Sequence, residues 1–200
     1  MGLGYSFIYE LASFLYKCVY KIKSEGSENL PAQQGYIIAS NHRSFADPPV
    51  VAIAGAKAHY SFVAKEELFR KPVFGWLIRK LGAFPITRGK GDTAAIDISV
   101  SKVREGRNLV IFPEGTRHID GKVGKGKTGV ALIAAKADVP VVPVGIVFDG
   151  KLHFRSTITV KFGKPFTIEE LGIAGEPTPR ELHEAKNKIM NEIKLLVEGE

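Results

Sequence analysis

The chain has 200 residues, 44% of them hydrophobic and 24% charged, with 21 Gly and 11 Pro, which excludes a collagenous or disordered sequence and points to one globular domain. Its formal charge of +7 favours an anionic partner, and its single cysteine, Cys18, excludes both a disulfide framework and a multi-cysteine metal cluster. No apolar run reaches the roughly 18 residues of a spanning helix; the longest, 139–148, carries two prolines and a glycine and reads as a buried strand.

In chain order, residues 1–24 are expected to form a helix. Ser6, Glu10, Ser13, Lys17 and Lys21 recur at intervals of three or four and make one narrow polar stripe, while Leu3, Phe7, Ile8, Leu11, Phe14, Leu15, Val19 and Ile22 fill a wide apolar arc. Tyr5, Tyr9, Tyr16 and Tyr20 suit a lipid headgroup boundary, so the pattern fits an interfacial membrane anchor and equally a helix docked on the domain itself. The absence of Lys or Arg before Lys17 argues against a signal peptide. Met1 to Ser6 also matches the myristoylation pattern, and Cys18 has no neighbouring base to activate it.

From there onward, β-branched runs alternate with helical patterns. Strands are expected over 36–40, 84–87, 109–112, 141–148 and 157–162, and helices over 48–56, 73–81, 93–104, 128–137 and 179–197. The last helix is the best marked, with a capping box of Thr178 and Glu181 and Pro179 at its first position. Such alternation predicts an α/β fold: a mostly parallel or mixed central sheet flanked by helices, residues 25–200 forming one domain behind the N-terminal helix.

The chemistry concentrates where predicted strands end. His42 follows the strand 36–40 directly, and ligands of open α/β sheets bind beyond the carboxyl ends of strands. Asp47, five residues on, is close enough to fold back onto one ring nitrogen, fix the tautomer and leave the other nitrogen as a base; its competing role is the N-cap of the helix beginning at Pro48. Two more strand ends carry Arg88 and Arg117, whose planar forks suit a phosphate, with the Gly115 amide able to approach closely.

Four ordered segments, Asn41-His42-(four residues)-Asp47, Gly82 to Arg88, Phe112-Pro113-Glu114-Gly115-Thr116-Arg117 and Val139 to Val144, resemble the motifs of the glycerolipid acyltransferase family, in particular the 1-acyl-glycerol-3-phosphate acyltransferases. The resemblance covers roughly Asn29 to Pro165. It implies that His42 and Asp47 are the catalytic pair, that Arg88, Glu114, Gly115, Thr116 and Arg117 hold the acceptor's phosphate and glycerol, and that Asn41 and Lys65 belong to the binding site. Glu114, awkward beside a phosphate, is expected to orient an arginine or to accept a glycerol hydroxyl. Pro140 is expected to shape the fourth motif near the site. Thr87 departs from the pattern, since many members place an acidic residue before the arginine. The implied reaction moves an acyl group from acyl-CoA or an acyl-carrier protein to lysophosphatidic acid at an anionic membrane surface, with no metal, cofactor or nucleic acid; family and chain size suggest the cytoplasmic face of a bacterial membrane.

Two readings compete. Gly121 to Thr128 satisfies the P-loop pattern, and Gly124 to Gly129 satisfies G-x-G-x-x-G with Asp149 twenty residues later, but both fingerprints require the glycine turn to leave a strand directly. A non-catalytic lipid-binding module leaves His42 and Asp47 without a task. No serine has a G-x-S-x-G elbow, and His183-Glu184 lacks the second histidine of a zinc-protease helix. The apolar residues Phe69, Val73, Phe74, Trp76, Leu77 and Ile78 suit core packing, an acyl channel or contact with lipid.

Overall fold

The computed structural model describes residues 3–55, 57–86 and 93–199. Helix α1 (Leu3–Val19) leads into strand β1 (Lys21–Glu25), followed by β2 (Ile37–Ser40), α2 (Asp47–Ala54), β3 (Tyr60–Lys65), α3 (Pro72–Lys80), β4 (Ala83–Ile86), α4 (Thr93–Arg104), β5 (Asn108–Ile111), α5 (Gly129–Ala137), β6 (Val141–Val147), β7 (Thr157–Phe162) and α6 (Pro179–Glu198). The strands form one sheet in the order β1-β7-β6-β2-β5-β3-β4. From β6 to β4 all neighbours are parallel, β7 runs antiparallel to β6, and β1 runs parallel to β7.

Strand β2 lies between β5 and β6, so both of its edges are paired, helices cover both of its faces, and its four residues Ile37, Ile38, Ala39 and Ser40 are all fully buried. Its side chains alternate. Ile37 and Ala39 join the core under α4, α5 and α6, whereas Ile38 joins the core under α2 and the tyrosines of α1. Burying a residue such as Ile38 is worth about 2 kcal/mol, so a one-residue slip of this strand would be strongly disfavoured. Register therefore fixes where the strand stops and where His42 emerges.

Two strands were not foreseen. β1 overturns the expectation of a helix through residue 24: the Val19 carbonyl accepts from the Arg155 amide, the Lys21 amide donates to the Ser156 carbonyl, and the chain then pairs with β7. Its residues alternate with charge, Lys21 and Lys23 being exposed, which suits a sheet edge. β3 completes the sheet between β5 and β4. At the C-terminus, the capping box forms as expected, the Glu181 amide donating to Thr178 Oγ1 and the Thr178 amide to Glu181 Oε2.

Helix α1 docks through the face that carries its tyrosines, with Ser13 of the polar stripe buried while Glu10 and Lys17 stay exposed. Tyr9 donates to the Ala52 carbonyl at 2.8 Å, and Tyr5 Oη accepts the Tyr60 amide at 3.1 Å. Its apolar arc faces outward, Phe7 being 70% and Phe14 65% exposed, with Leu11, Leu15 and Val19 beside them. The same holds for α3. Gly75 lies against the Phe69 carbonyl, where a Cβ would approach to 2.5 Å, and this close seat turns Val73 (81% exposed) and Trp76 (54%) outward with Phe74 and Leu77. Core packing thus accounts for Phe69, which is buried, but not for those four residues.

Candidate active site

The loop 41–46 joins β2 to α2 at the carboxyl edge of the sheet. Asp47 is the first residue of α2 but does not serve as its N-cap; its carboxylate turns back over the loop. Oδ2 accepts the Arg43 amide at 2.6 Å and the Ser44 amide at 2.7 Å, and meets His42 Nδ1 at 2.8 Å. The Asp47 side chain is 2% exposed and that of His42 19%, so a partly accessible imidazole rests on a buried carboxylate. A carboxylate on Nδ1 selects the tautomer with the proton there and leaves Nε2 as the basic nitrogen. Phe112, next after β5, stacks on the imidazole with centroids 4.2 Å apart.

His42 is also fixed through its backbone. Its amide donates to Glu114 Oε2 at 2.9 Å, the other Glu114 oxygen accepts the Gly124 amide at 2.8 Å, and the His42 carbonyl accepts the His118 amide at 2.7 Å. Glu114 is buried, and the bonds it makes among the described residues tie these two amides together, the His42 amide on one oxygen and the Gly124 amide on the other. Asn41 is likewise a brace. Its side-chain amide pairs with both backbone groups of Ile146, at 2.7 and 3.0 Å, prolonging the β2–β6 ladder by one side chain, and it is 2% exposed.

Gly115 follows in the left-handed conformation with φ 69°, a turn that a side chain would strain. Thr116 and Arg117 are exposed, and the Arg117 guanidinium lies 3.6 Å over the Phe45 ring, within the His42–Asp47 loop. Lys65 ends β3 and is exposed, opposite Ile86 at the end of β4. Arg88 and Thr87 fall outside the described residues. The structure therefore brings His42, Asp47, Asn41, Glu114, Gly115, Thr116 and Arg117 together and sets Lys65 on the same edge.

Pro140 stands elsewhere. Its carbonyl accepts the Ile37 amide at the start of β2, about 15 Å by strand rise from His42, so the expectation that it shapes the site does not hold. The opposite end of β6 does that work. Beyond Ile146, the Phe148 carbonyl accepts Arg43 Nη1 at 2.6 Å, and the Arg43 guanidinium covers the Phe148 ring at 3.9 Å. Sequence reading passed over Arg43, Phe112 and Phe148; only their neighbourhood to the motif residues hinted at them.

The P-loop reading fails on geometry. β5 ends at Ile111, ten residues before Gly121, and the loop amides that would cradle a phosphate are already used, Gly124 by Glu114 and Lys127 by the Pro113 carbonyl.

Comparison with known proteins agrees with this geometry. A family model described as Acyltransferase matches residues 21–147, from the first residue of β1 to the last of β6. A 1-acyl-sn-glycerol-3-phosphate acyltransferase of Streptococcus pneumoniae is 35% identical over 150 residues, covering 72% of this chain and 55% of that protein. Its counterpart in Bacillus subtilis is 31% identical over 180 residues, covering 84% of this chain and 89% of that one. The crystal structure of the 1-acyl-sn-glycerophosphate acyltransferase from Thermotoga maritima superposes with a TM-score of 0.75 at 29% identity, covering 97% of this chain and 78% of the other. The chain spans about half the length of the first curated relatives it matches. With the first and third motif segments in one loop cluster and the family model spanning β1 to β6, this chain belongs to the acyltransferase family, alongside the 1-acyl-sn-glycerol-3-phosphate acyltransferases.

Proposed function

We propose that the protein transfers a fatty acyl group from an acyl thioester to the sn-2 hydroxyl of 1-acyl-glycerol-3-phosphate, making phosphatidate. The observation that carries this reading is the His42–Asp47 contact of 2.8 Å at the carboxyl edge of β2. His42 Nε2 takes the proton of the hydroxyl as its oxygen attacks the thioester carbonyl, and Asp47 stabilises the imidazolium that forms. Collapse of the tetrahedral intermediate breaks the carbon–sulfur bond and expels a thiolate, whose conjugate thiol has a pKa of about 8.5, and the imidazolium returns the proton. No covalent acyl-enzyme is required. Arg117 and Lys65, with Arg88 as the third cation of the set, supply charge for the acceptor's phosphate, and Gly115 and Thr116 line the approach.

The acceptor is a lipid, and the protein offers lipid two faces. Phe7, Leu11, Phe14 and Leu15 on α1, and Val73, Phe74, Trp76 and Leu77 on α3, present exposed apolar surface, with Lys17 and Lys80 exposed on the same two helices and Lys71 exposed just before the second. No described helix is long and apolar enough to cross a membrane, so peripheral binding to an anionic leaflet is the mode these faces support. The location we assign is the cytoplasmic face of a bacterial membrane. Release of free thiol from an acyl thioester, with and without 1-acyl-glycerol-3-phosphate, tests the reading: acceptor-dependent release is expected from acyl-CoA or acyl-carrier protein, and none with either donor would refute it.

A further inference from the structure

Beside the catalytic loop, on the α5–α6 side of the sheet, a cleft of about 420 Å³ opens between residues 123–125 and one face of α6. Its lining includes Lys125, His183, Lys186, Asn187 and Lys194, and no carboxylate is among the described lining residues. Lys186 is buried at 8% exposure, an unusual place for an ammonium group, and its Nζ is held by Asn187 Oδ1. Two acidic groups are near: Glu198 makes an exposed i,i+4 pair with Lys194 at 3.8 Å, weak in solvent, and Glu184 is paired with Arg180. A concave surface carrying three lysines, a histidine and two asparagines suits a phosphate ester.

Two placements say which phosphate. Gly124, on the rim, is tied to Glu114, and Glu114 to the His42 amide, so the cleft is joined directly to the reacting centre. The cations expected to hold the acceptor's phosphate lie toward the opposite side of β2, Lys65 at the end of β3 beside the end of β4. The outward apolar face of α1 belongs to the layer over Ile38, whereas α6 covers Ile37 and Ala39 on the other layer. With α1 against lipid, the cleft opens to the aqueous side, where a soluble donor arrives.

We infer that this cleft seats the phosphate of the donor's phosphopantetheine arm, the group that CoA and acyl-carrier protein share. The inference rests on the acyl-transfer reading for its choice of ligand, but binding tests it separately. Titration of the full chain with 4′-phosphopantetheine and with pantetheine, followed by calorimetry, should show the phosphorylated compound bound at least about tenfold more tightly, as loss of a charge-assisted contact predicts. In Lys125→Gln/Lys194→Gln, both exposed positions, that preference should collapse toward unity; Lys186→Gln, checked for unaltered melting, should do the same. Equal binding of the two compounds by the unaltered protein overturns the inference, as does a preference that survives the substitutions. A rise in KM for 1-acyl-glycerol-3-phosphate in place of the donor effect also overturns it, because the cleft would then hold the acceptor. Weakened binding of acyl-carrier protein with unchanged binding of free 4′-phosphopantetheine would assign the lysines to the carrier's acidic surface and refute the phosphate seat. Phosphopantetheine binding that persists in a chain that transfers no acyl group would refute the proposed reaction and leave the cleft's ligand standing.

Discussion

The loop after β2 and the helix before β1 solve opposite problems. Around His42 nearly every polar group is committed: the amides of His42, Arg43 and Ser44 to two carboxylates, the His42 carbonyl to an amide, and Asn41 to both backbone groups of Ile146. On α1 the commitment runs through Tyr5 and Tyr9 on the inner face and the Glu10–Lys57 pair at its flank, while the outer face carries exposed apolar side chains. The comparison separates residues that hold geometry from residues that hold location. Substitutions in the first group should change turnover without moving the protein, and those in the second should move the protein with little effect on its fold.

Among the residues that hold His42 in place, the largest break should come from Asp47→Asn, which keeps the shape but offers His42 Nδ1 and two amides a group that is half donor. A loss of about a thousandfold in kcat, with the chain still folded by circular dichroism, is expected. Glu114→Gln sharpens the comparison next. As a brace between His42 and Gly124 it should lower kcat by about ten- to a hundredfold while the KM for the lipid acceptor stays within about twofold. A large rise in KM with kcat preserved would instead make Glu114 a substrate ligand.

The outer face makes the converse forecast. Phe7→Ser/Phe14→Ser removes two rings that have little contact within the chain, so binding to vesicles containing anionic lipid should fall by about tenfold or more, while the melting temperature shifts by no more than about 2 °C. Vesicle co-sedimentation and a thermal melt check both halves.

Docking of the inner face should show itself at alkaline pH. Burial pushes the Tyr9 phenol up to about 12. A phenol whose folded value lies above its unfolded value near 10 contributes stability that is intact below pH 10 and is lost as pH rises through the folded value. Stability attributable to α1 should therefore decline between about pH 10 and pH 12, and Tyr9→Phe, which abolishes that ionisation, should flatten the decline at the cost of the bond to Ala52, about 1 kcal/mol at neutral pH. Denaturant melts across that range measure it.

Much of this was legible in the sequence, for reasons tied to distance along the chain. His42 and Asp47 are five residues apart, and the local loop suffices to bring them together. The α/β alternation fixed the sheet's parallel centre because β-branched runs such as Val141 to Val147 have few other stable uses. Strand β1 escaped notice because Lys-Ile-Lys-Ser-Glu owes its structure to β7, more than a hundred residues later, and continues a helical stripe by coincidence. The roles of Asn41 and Glu114 were equally hidden: one depends on Ile146, 105 positions away, and the other on a glycine amide that sequence patterns assign to a phosphate loop. The outward apolar arcs of α1 and α3 could be read as patterns but not as faces, since only the docked tyrosines and Gly75 decide which side turns in.

The central claim is that His42 is the base that moves an acyl group to a lysophosphatidate hydroxyl. It is tested most directly by measuring acceptor-dependent thiol release and phosphatidate formation for the unaltered chain and for His42→Ala in parallel. Our account predicts matched thiol and phosphatidate in the first and a loss of about a thousandfold or more in the second, with the variant still folded. A folded His42→Ala protein that retains a tenth or more of the rate would contradict it.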